Sequence, residues 1–524
     1  MKKCLTLLLA AGLVFSAASS ASAIDFKAQG EWLVGFAGGQ GNFVDKTRTA
    51  ENGKKKADSS DRFTASQRVR LQLDAVASES LSGTVFFEIG DQNWGSGGTV
   101  GAGSGGAMGA DGVAVEVKNA YIDWMVPDTT LSFRMGIQAL ALPNVAGGSA
   151  VLDDDAAGVT FHMQFNENVG LTGMWARPLN DNYDVQDGDY SGNNKKSYLD
   201  NVDLFALTLP LTFDGIEVTP WAMLGVIGQN AFRSGADNAT TDVTPYMTSN
   251  YMSDRWNSGD SFERTKNANT TAFWAGLPVK LTLWDPFNIE FDINYGYVSS
   301  QGRGSIERSD GAGKTRFSTE RQGWLAKALV EYKMDWGTPG IFGWYASGDD
   351  DNPKNGSERM PSVSPSTNFT SFMGDGNLAW SSGGSLYDRN LSLAGTWGIG
   401  LQIADMSFVE DLKHTFRVAY WGGTNNPTMA KYAAHPWSWE SGNGGSYDED
   451  TFAGDPELYL TTNDGLLEFN LVNSYQMYEN FEINFELGYI VNFIDHDTWK
   501  KANRTEGYDA QDAWKAQLIF AYTF

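Results

Sequence analysis

Between Phe481 and Phe493, apolar and polar residues alternate almost without a break. Phe481, Ile483, Phe485, Leu487, Tyr489, Val491 and Phe493 form one set; Glu482, Asn484, Glu486, Gly488 and Asn492 fall between them, with Ile490 the exception. Side chains of a strand point alternately to its two faces, so this segment has one apolar side and one polar side. It is also long, since strands in soluble proteins run to about 5–6 residues and a tilted strand crossing a bilayer needs about 9–11. The same alternation recurs in Ile289–Tyr297, Arg68–Ala75 and Trp514–Phe524. A soluble sandwich alternates too, but with shorter strands. The pattern therefore predicts an all-β fold, a transmembrane antiparallel β-barrel with its apolar face in lipid and its polar face toward a watery lumen.

The connections support this. Tight turns are expected at Pro127-Asp128-Thr129, Asn166-Glu167-Asn168, Phe213-Asp214-Gly215, Trp284-Asp285-Pro286-Phe287 and Tyr478-Glu479-Asn480. Long polar stretches lie between them, at 38–62, 94–112, 179–201, 229–268, 301–319, 349–390 and 424–456. Short periplasmic turns and long extracellular loops are the asymmetry of outer-membrane barrels. Counting runs predicts about 18 strands, with about 16 as the alternative. The first strand is placed near Asp25–Ala37 and the last at Asp512–Phe524, and an even number lets the two pair and close the edges.

The start of the chain predicts export. Lys2 and Lys3 precede an apolar run from Leu5 to about Ala18, and Ala21-Ser22-Ala23 has the spacing of a cleavage site. Residues 1–23 are read as a signal peptide cut between Ala23 and Ile24, and residues 24–524 as one barrel domain. The single cysteine, Cys4, falls within the leader, so the mature chain has no thiol chemistry. No later segment is apolar over the ~18 residues that a spanning helix needs. The net charge of −26 becomes two units more negative without Lys2 and Lys3, which argues against a nucleic-acid partner.

The last residues, Gln517-Leu518-Ile519-Phe520-Ala521-Tyr522-Thr523-Phe524, resemble the terminal strand of outer-membrane proteins. In that group, alternating aromatics and a final Phe are read by the barrel assembly machinery, which implies that role for Phe520, Tyr522 and Phe524. The whole mature chain also resembles the outer-membrane homotrimeric porins of anaerobic sulfate-reducing bacteria. The resemblance is carried by Ile24-Asp25-Phe26-Lys27-Ala28-Gln29-Gly30-Glu31-Trp32, Asn119-Ala120-Tyr121-Ile122-Asp123-Trp124 and Phe133-Arg134-Met135-Gly136-Ile137-Gln138. It implies three barrels side by side in lipid and lipopolysaccharide, each a water-filled channel for small hydrophilic solutes and ions.

Porins of this kind narrow the channel with the third outer loop. Here that connection is Ala139 to Asp155, which is small and apolar and then ends in Asp153, Asp154 and Asp155. An outward loop in water has no reason to be so apolar. We therefore expect residues 139–155 to fold into the lumen with the three acids at the constriction. Strand phase assigns the opposing basic wall to Arg68, Arg70, Arg134, Lys327, Lys413 and Arg417, because a charge on the lipid face costs about 2–4 kcal/mol near the midplane. Facing acids and bases would set up a transverse field that penalises large apolar solutes. Inward acids, of which Glu88, Asp123, Glu290, Asp292, Glu482 and Glu486 are examples, outnumber these bases in the summed charge and suggest a mild cation preference.

Nothing calls for an enzyme, cofactor or metal. His162, His414, His435 and His496 are scattered, with no G-x-S-x-G or H-E-x-x-H setting. The acidic runs Asp349-Asp350-Asp351 and Asp448-Glu449-Asp450 lack calcium-loop spacing and read as solvated charge. Gly101–Gly112 lacks the strand–helix context of a phosphate loop. Two other functions remain open: a substrate-specific channel, for which inward Trp221 would be one sugar-stacking candidate, and a structural or adhesive surface barrel acting through its loops.

Overall fold

The computed structural model describes residues 24–40, 62–95, 115–180, 201–228, 269–300, 314–367, 393–432, 459–501 and 512–524, with short pieces between. The expected leader with Ala23, the Gly101–Gly112 stretch, Asp448–Asp450 and His435 lie outside the described residues. The wall consists of β1 (Asp25–Gln40), β2 (Arg62–Ser78), β3 (Leu81–Asn93), β4 (Val115–Met125), β5 (Leu131–Ala141), β6 (Asp153–Gln164) and β7 (Gly170–Asn180). It continues with β8 (Asn201–Thr208, resumed at Leu211–Phe213), β9 (Ile216–Val218, resumed at Trp221–Ile227), β10 (Thr270–Leu281), β11 (Phe287–Val298) and β12 (Arg321–Tyr332). It ends with β13 (Thr338–Ala346), β14 (Thr396–Val409), β15 (Leu412–Gly423), β16 (Gly465–Tyr478), β17 (Phe481–Phe493) and β18 (Ala513–Thr523).

Each strand pairs antiparallel with the next, and β18 pairs back onto β1, with Trp32 opposite Tyr522, so the 18-strand sheet has no free edge. Closure is what makes such a sheet viable in lipid, where an unpaired backbone group costs several kcal/mol. The interruptions in β8 and β9 fall at Pro210 and Pro220, which have no N–H to give to the ladder. Their carbonyls still accept, from Gly170 N and Leu209 N, so each broken strand spans as one.

All five expected tight turns join consecutive strands at one end of the barrel. In the Asp214-Gly215 turn, Gly215 has φ +69°, and a Cβ there would stand 2.9 Å from the Leu283 backbone N, so the position requires glycine. The strand ends that the longer connections join lie at the other end.

The faces of the wall are set by strand period. Along β11, Phe291, Ile293 and Tyr295 stay about two-fifths exposed on the outside, while Asp292 and Asn294 are buried inside. The outer face is the apolar band of a membrane-spanning barrel. The inner face departs from the expected alternation in one sector. On β11 and β12 it keeps Asp292, Asn294, Arg321 and Lys327, but on β7–β10 and β13 it is mainly apolar, carrying Leu179, Val202, Leu204, Met223, Trp274 and Trp344, all buried. These side chains face protein instead of water, because two connections fold down onto them. Each contributes roughly 1.5–3 kcal/mol by its burial.

Candidate functional site

The first inward connection runs from Leu142 to Leu152. β5 continues through Ala141 and β6 starts at Asp153, so the loop is shorter than the expected 139–155. It reaches across the lumen to the inner face of β9–β12. The Trp221 indole N–H donates to Pro143 O at 3.0 Å. Backbone N–H groups of Val145 and Ala146 donate to Asp292, the latter at 2.6 Å. Lys327 donates from Nζ to Gly148 O. Gly147 and Gly148 have φ of +60° and +78°, and a Cβ on Gly148 would stand 2.1 Å from Ser366 O.

The second inward segment belongs to the β13–β14 connection, whose polar stretch 349–390 predicts an outward loop. Its described part folds in along residues 357–367. Ser366 and Thr367 pair with Ser149 and Gly148. Val363 N donates to Val151 O at 2.8 Å, and Ser362 Oγ to Ala150 O at 2.6 Å. The Trp274 indole donates to Pro361 O at 2.9 Å, and the buried Arg321 guanidinium to Arg359 O and Met360 O. Phe369 stacks on Phe342 and Trp344 and lies against Gly147. The available signal was Met360-Pro361-Ser362-Val363-Ser364-Pro365, small and apolar like residues 142–152.

The acid triplet is divided by the strand it belongs to. Asp153 and Asp155 lie opposite Ala141 and Ala139, on the outer face shared with Met135 and Ile137. Only Asp154 shares the inner face of Leu140, and it accepts the Ser364 hydroxyl at 2.8 Å. Three consecutive residues of a strand cannot all face one side. The expectation that all three acids face the lumen is corrected: among them only Asp154 does. Outside, Asp155 is paired with Lys118.

The basic residues do not form a separate wall opposite an acidic loop. Arg68 and Arg70 lie on the inner face of β2, and Arg70 Nε meets Glu88 on β3 at 2.6 Å. Arg134 makes a two-bond pair with Asp123 on β4, at 2.7 and 3.0 Å, and its guanidinium lies 4.0 Å above the Tyr121 ring. Lys413, largely exposed near the β14–β15 turn, is 3.8 Å from Asp405. Arg417 donates to Gln402 at 3.2 Å within a buried group that includes Glu468, Asn470, Glu486 and Lys515. Lys327 is sealed beneath the inserted loop, 3.9 Å from Asp292. Neighbour pairing of this kind neutralises charge locally, so the predicted field between a basic wall and an acidic loop is replaced by short dipoles along the wall.

Other singled-out residues have structural partners. Trp221 is buried under the loop and offers no stacking face to a solute. Asp349, expected to be solvated, is buried; it accepts from Ser357 Oγ, Glu358 N and Tyr459 OH. His162, inside, is 3.0 Å from the Thr172 hydroxyl; His414, outside, is 2.7 Å from Asn473. Phe524 packs over Gly30 and stacks on Tyr522, beside Phe520 on the outer face of the closing seam.

No family model matches the sequence, and no curated protein matches it. Solved structures with a similar fold come from Pseudomonas aeruginosa. The outer membrane protein OpdK is 9% identical over 95% of this chain and 98% of its own, with a TM-score of 0.46. OpdL is 12% identical over 95% and 99%, with a TM-score of 0.46. OpdQ is 11% identical over 95% and 98%, with a TM-score of 0.44. Identity this low leaves solute and residue roles to this chain's own geometry.

Proposed function

We propose that this chain is a porin-like channel of the bacterial outer membrane through which small hydrophilic solutes and ions diffuse passively. The observation that carries the reading is the divided lumen. Two inserted segments cover the inner wall between β7 and β13, while the arc from β2 to β5 carries the partly exposed ion pairs Arg70–Glu88 and Arg134–Asp123. A barrel of this strand number is too wide for wall side chains to fill, and a polar arc beside a fixed obstruction supports a hydrated passage of restricted width. Arg68, Arg70, Arg134, Arg417 and Asp154 belong to that passage in this reading, and Lys413 to its periplasmic mouth.

Two inserted segments instead of one also support a narrower reading, a channel selective for one solute class. Export by a cleaved leader of residues 1–23, assembly through the Phe520–Phe524 end, contact with lipopolysaccharide, and a trimer are parts of the same proposal. Planar-bilayer recording tests it. Triple-step openings without solute block support a general trimeric porin, block by one solute class supports a selective channel, and no conductance overturns the channel in favour of a surface role. Reversal potential in a salt gradient tests the mild cation preference, which a clear anion preference would refute.

A further inference from the structure

Beneath the first inserted loop, between β3 and β8, the periplasmic half of the lumen holds a cavity of ≈ 470 Å³. That volume lies in the ordinary range for small-molecule sites. Its polar wall centres on Asp123 and Arg134, and its apolar lining includes Leu140, Leu142, Met174 and Ala206.

We propose that this cavity is a binding subsite for a small zwitterion with an apolar side chain, such as a free amino acid. The proposal rests on the channel reading above and names a solute class for it. The Asp123–Arg134 pair is accessible, with 37% and 40% of the two side chains exposed. The Arg70–Glu88 pair on the same wall is more enclosed, at 26% and 16%. Arg134 spends Nε and one Nη on Asp123 and rests on the Tyr121 ring, which fixes its plane. A guanidinium has five N–H donors and a carboxylate about four acceptor positions, so the pair keeps capacity of both kinds. A solute with only a negative charge meets the repulsion of Asp123, and one with only a positive charge meets that of Arg134. A solute bearing both charges on neighbouring atoms is attracted twice, and discrimination arises from the penalties on the other two. Among the other polar groups of the lining, Gln138 is engaged with Thr160 and Gly158 O, and His162 with Thr172, while Glu79, Ser82, Ser132 and Thr208 complete the polar rim. The Leu140–Leu142 roof and Met174 give a branched aliphatic chain an apolar place.

The test is calorimetric titration of the detergent-folded full barrel with leucine, 4-methylpentanoate and 3-methylbutylamine, the last two each lacking one charge. We expect leucine to bind at least about tenfold more tightly than either, a gap of about 1.4 kcal/mol. Asp123→Asn and Arg134→Gln should each erase that advantage, while the charge swap Asp123→Arg with Arg134→Asp should retain it. Equal binding of the three compounds to the unaltered protein overturns the proposal without any variant. So does unchanged leucine preference in both single variants, checked for folding by heat-modifiable migration on gels. Conductance of the same preparation is a separate readout. A barrel that conducts without preferring leucine loses the subsite alone, and one that binds leucine without conducting loses the channel alone.

Discussion

The carboxylate of Asp292 accepts the backbone N–H of Ala146 at 2.6 Å, so a wall strand holds the tip of the inserted loop from the far side of the lumen. Val145 N–H reaches the same carboxylate at 3.2 Å, and Lys327, 3.9 Å away, donates to Gly148 O. The buried pair is therefore completed by loop backbone. Loop and wall each supply what the other lacks, since burying either charge without a partner would be costly.

Removing one member should undo this arrangement. Asp292→Asn leaves Lys327 as a buried charge without its carboxylate, a defect of about 3–5 kcal/mol. We expect faster proteolysis within residues 142–152 and noisier conductance. Asp292→Asn with Lys327→Met should cost less than Asp292→Asn alone, because the stranded charge is gone too. Strictly additive losses in the double-mutant cycle would disprove the coupling.

Gly148 joins the two inserted segments. Its φ of +78° disfavours any side chain, and a Cβ would collide with Ser366 O at 2.1 Å. Gly148→Ala should therefore cost on the order of 1–3 kcal/mol. Both segments should loosen together, so protease sites in 142–152 and 357–367 should open with the same dependence on denaturant. If only the first segment opens, the two are docked independently.

Much of the wall was legible because one environment acts on one face. Phe291 and Ile293 meet lipid while Asp292 and Asn294 do not, and that difference writes a period of two into the sequence. Where both faces meet apolar surroundings the period vanishes. Trp221-Ala222-Met223-Leu224-Gly225-Val226-Ile227 is apolar almost throughout, since its inner side chains lie under loops and its outer ones face out. Sequence cannot tell a loop-covered inner face from a lipid-covered outer one. For the same reason Lys327 between Ala326 and Ala328 reads like a pore base, and only the position of Gly148 above it distinguishes it from Arg70. The apolar character of 142–152 was legible, but the strand alternation that turns Asp153 and Asp155 outward depended on where β6 begins.

Deleting residues 143–150 removes the span that covers Trp221 and that meets Asp292 and Lys327. Single-channel conductance should rise. Tryptophan emission should also shift to the red, since Trp221 loses its cover and Trp274 loses a supporting layer around its bond to Pro361. Higher conductance without a spectral shift would mean that the second segment alone shields the aromatic sector. Unchanged conductance would exclude the loop from the conducting path.

Acidity should strengthen the docking of the second segment. Burial raises the Glu358 carboxyl to about 7, and the charges of Asp349 and Asp350 push in the same direction. Hydrogen bonds from Asp350 N, at 3.1 Å, and the Asn355 amide, at 2.9 Å, meet its two oxygens. A freed segment would return this group to an ordinary value near 4.5. Between those two values the docked form holds a proton that the freed form releases. Docking must therefore weaken as pH rises from about 4.5 to about 7 and level off above that. Glu358→Gln mimics the protonated group at every pH. It should leave proteolysis of the 351–358 turn slow and nearly flat with pH, where the unaltered protein becomes more susceptible toward neutrality. The same pH slope in the variant would assign the effect to other groups.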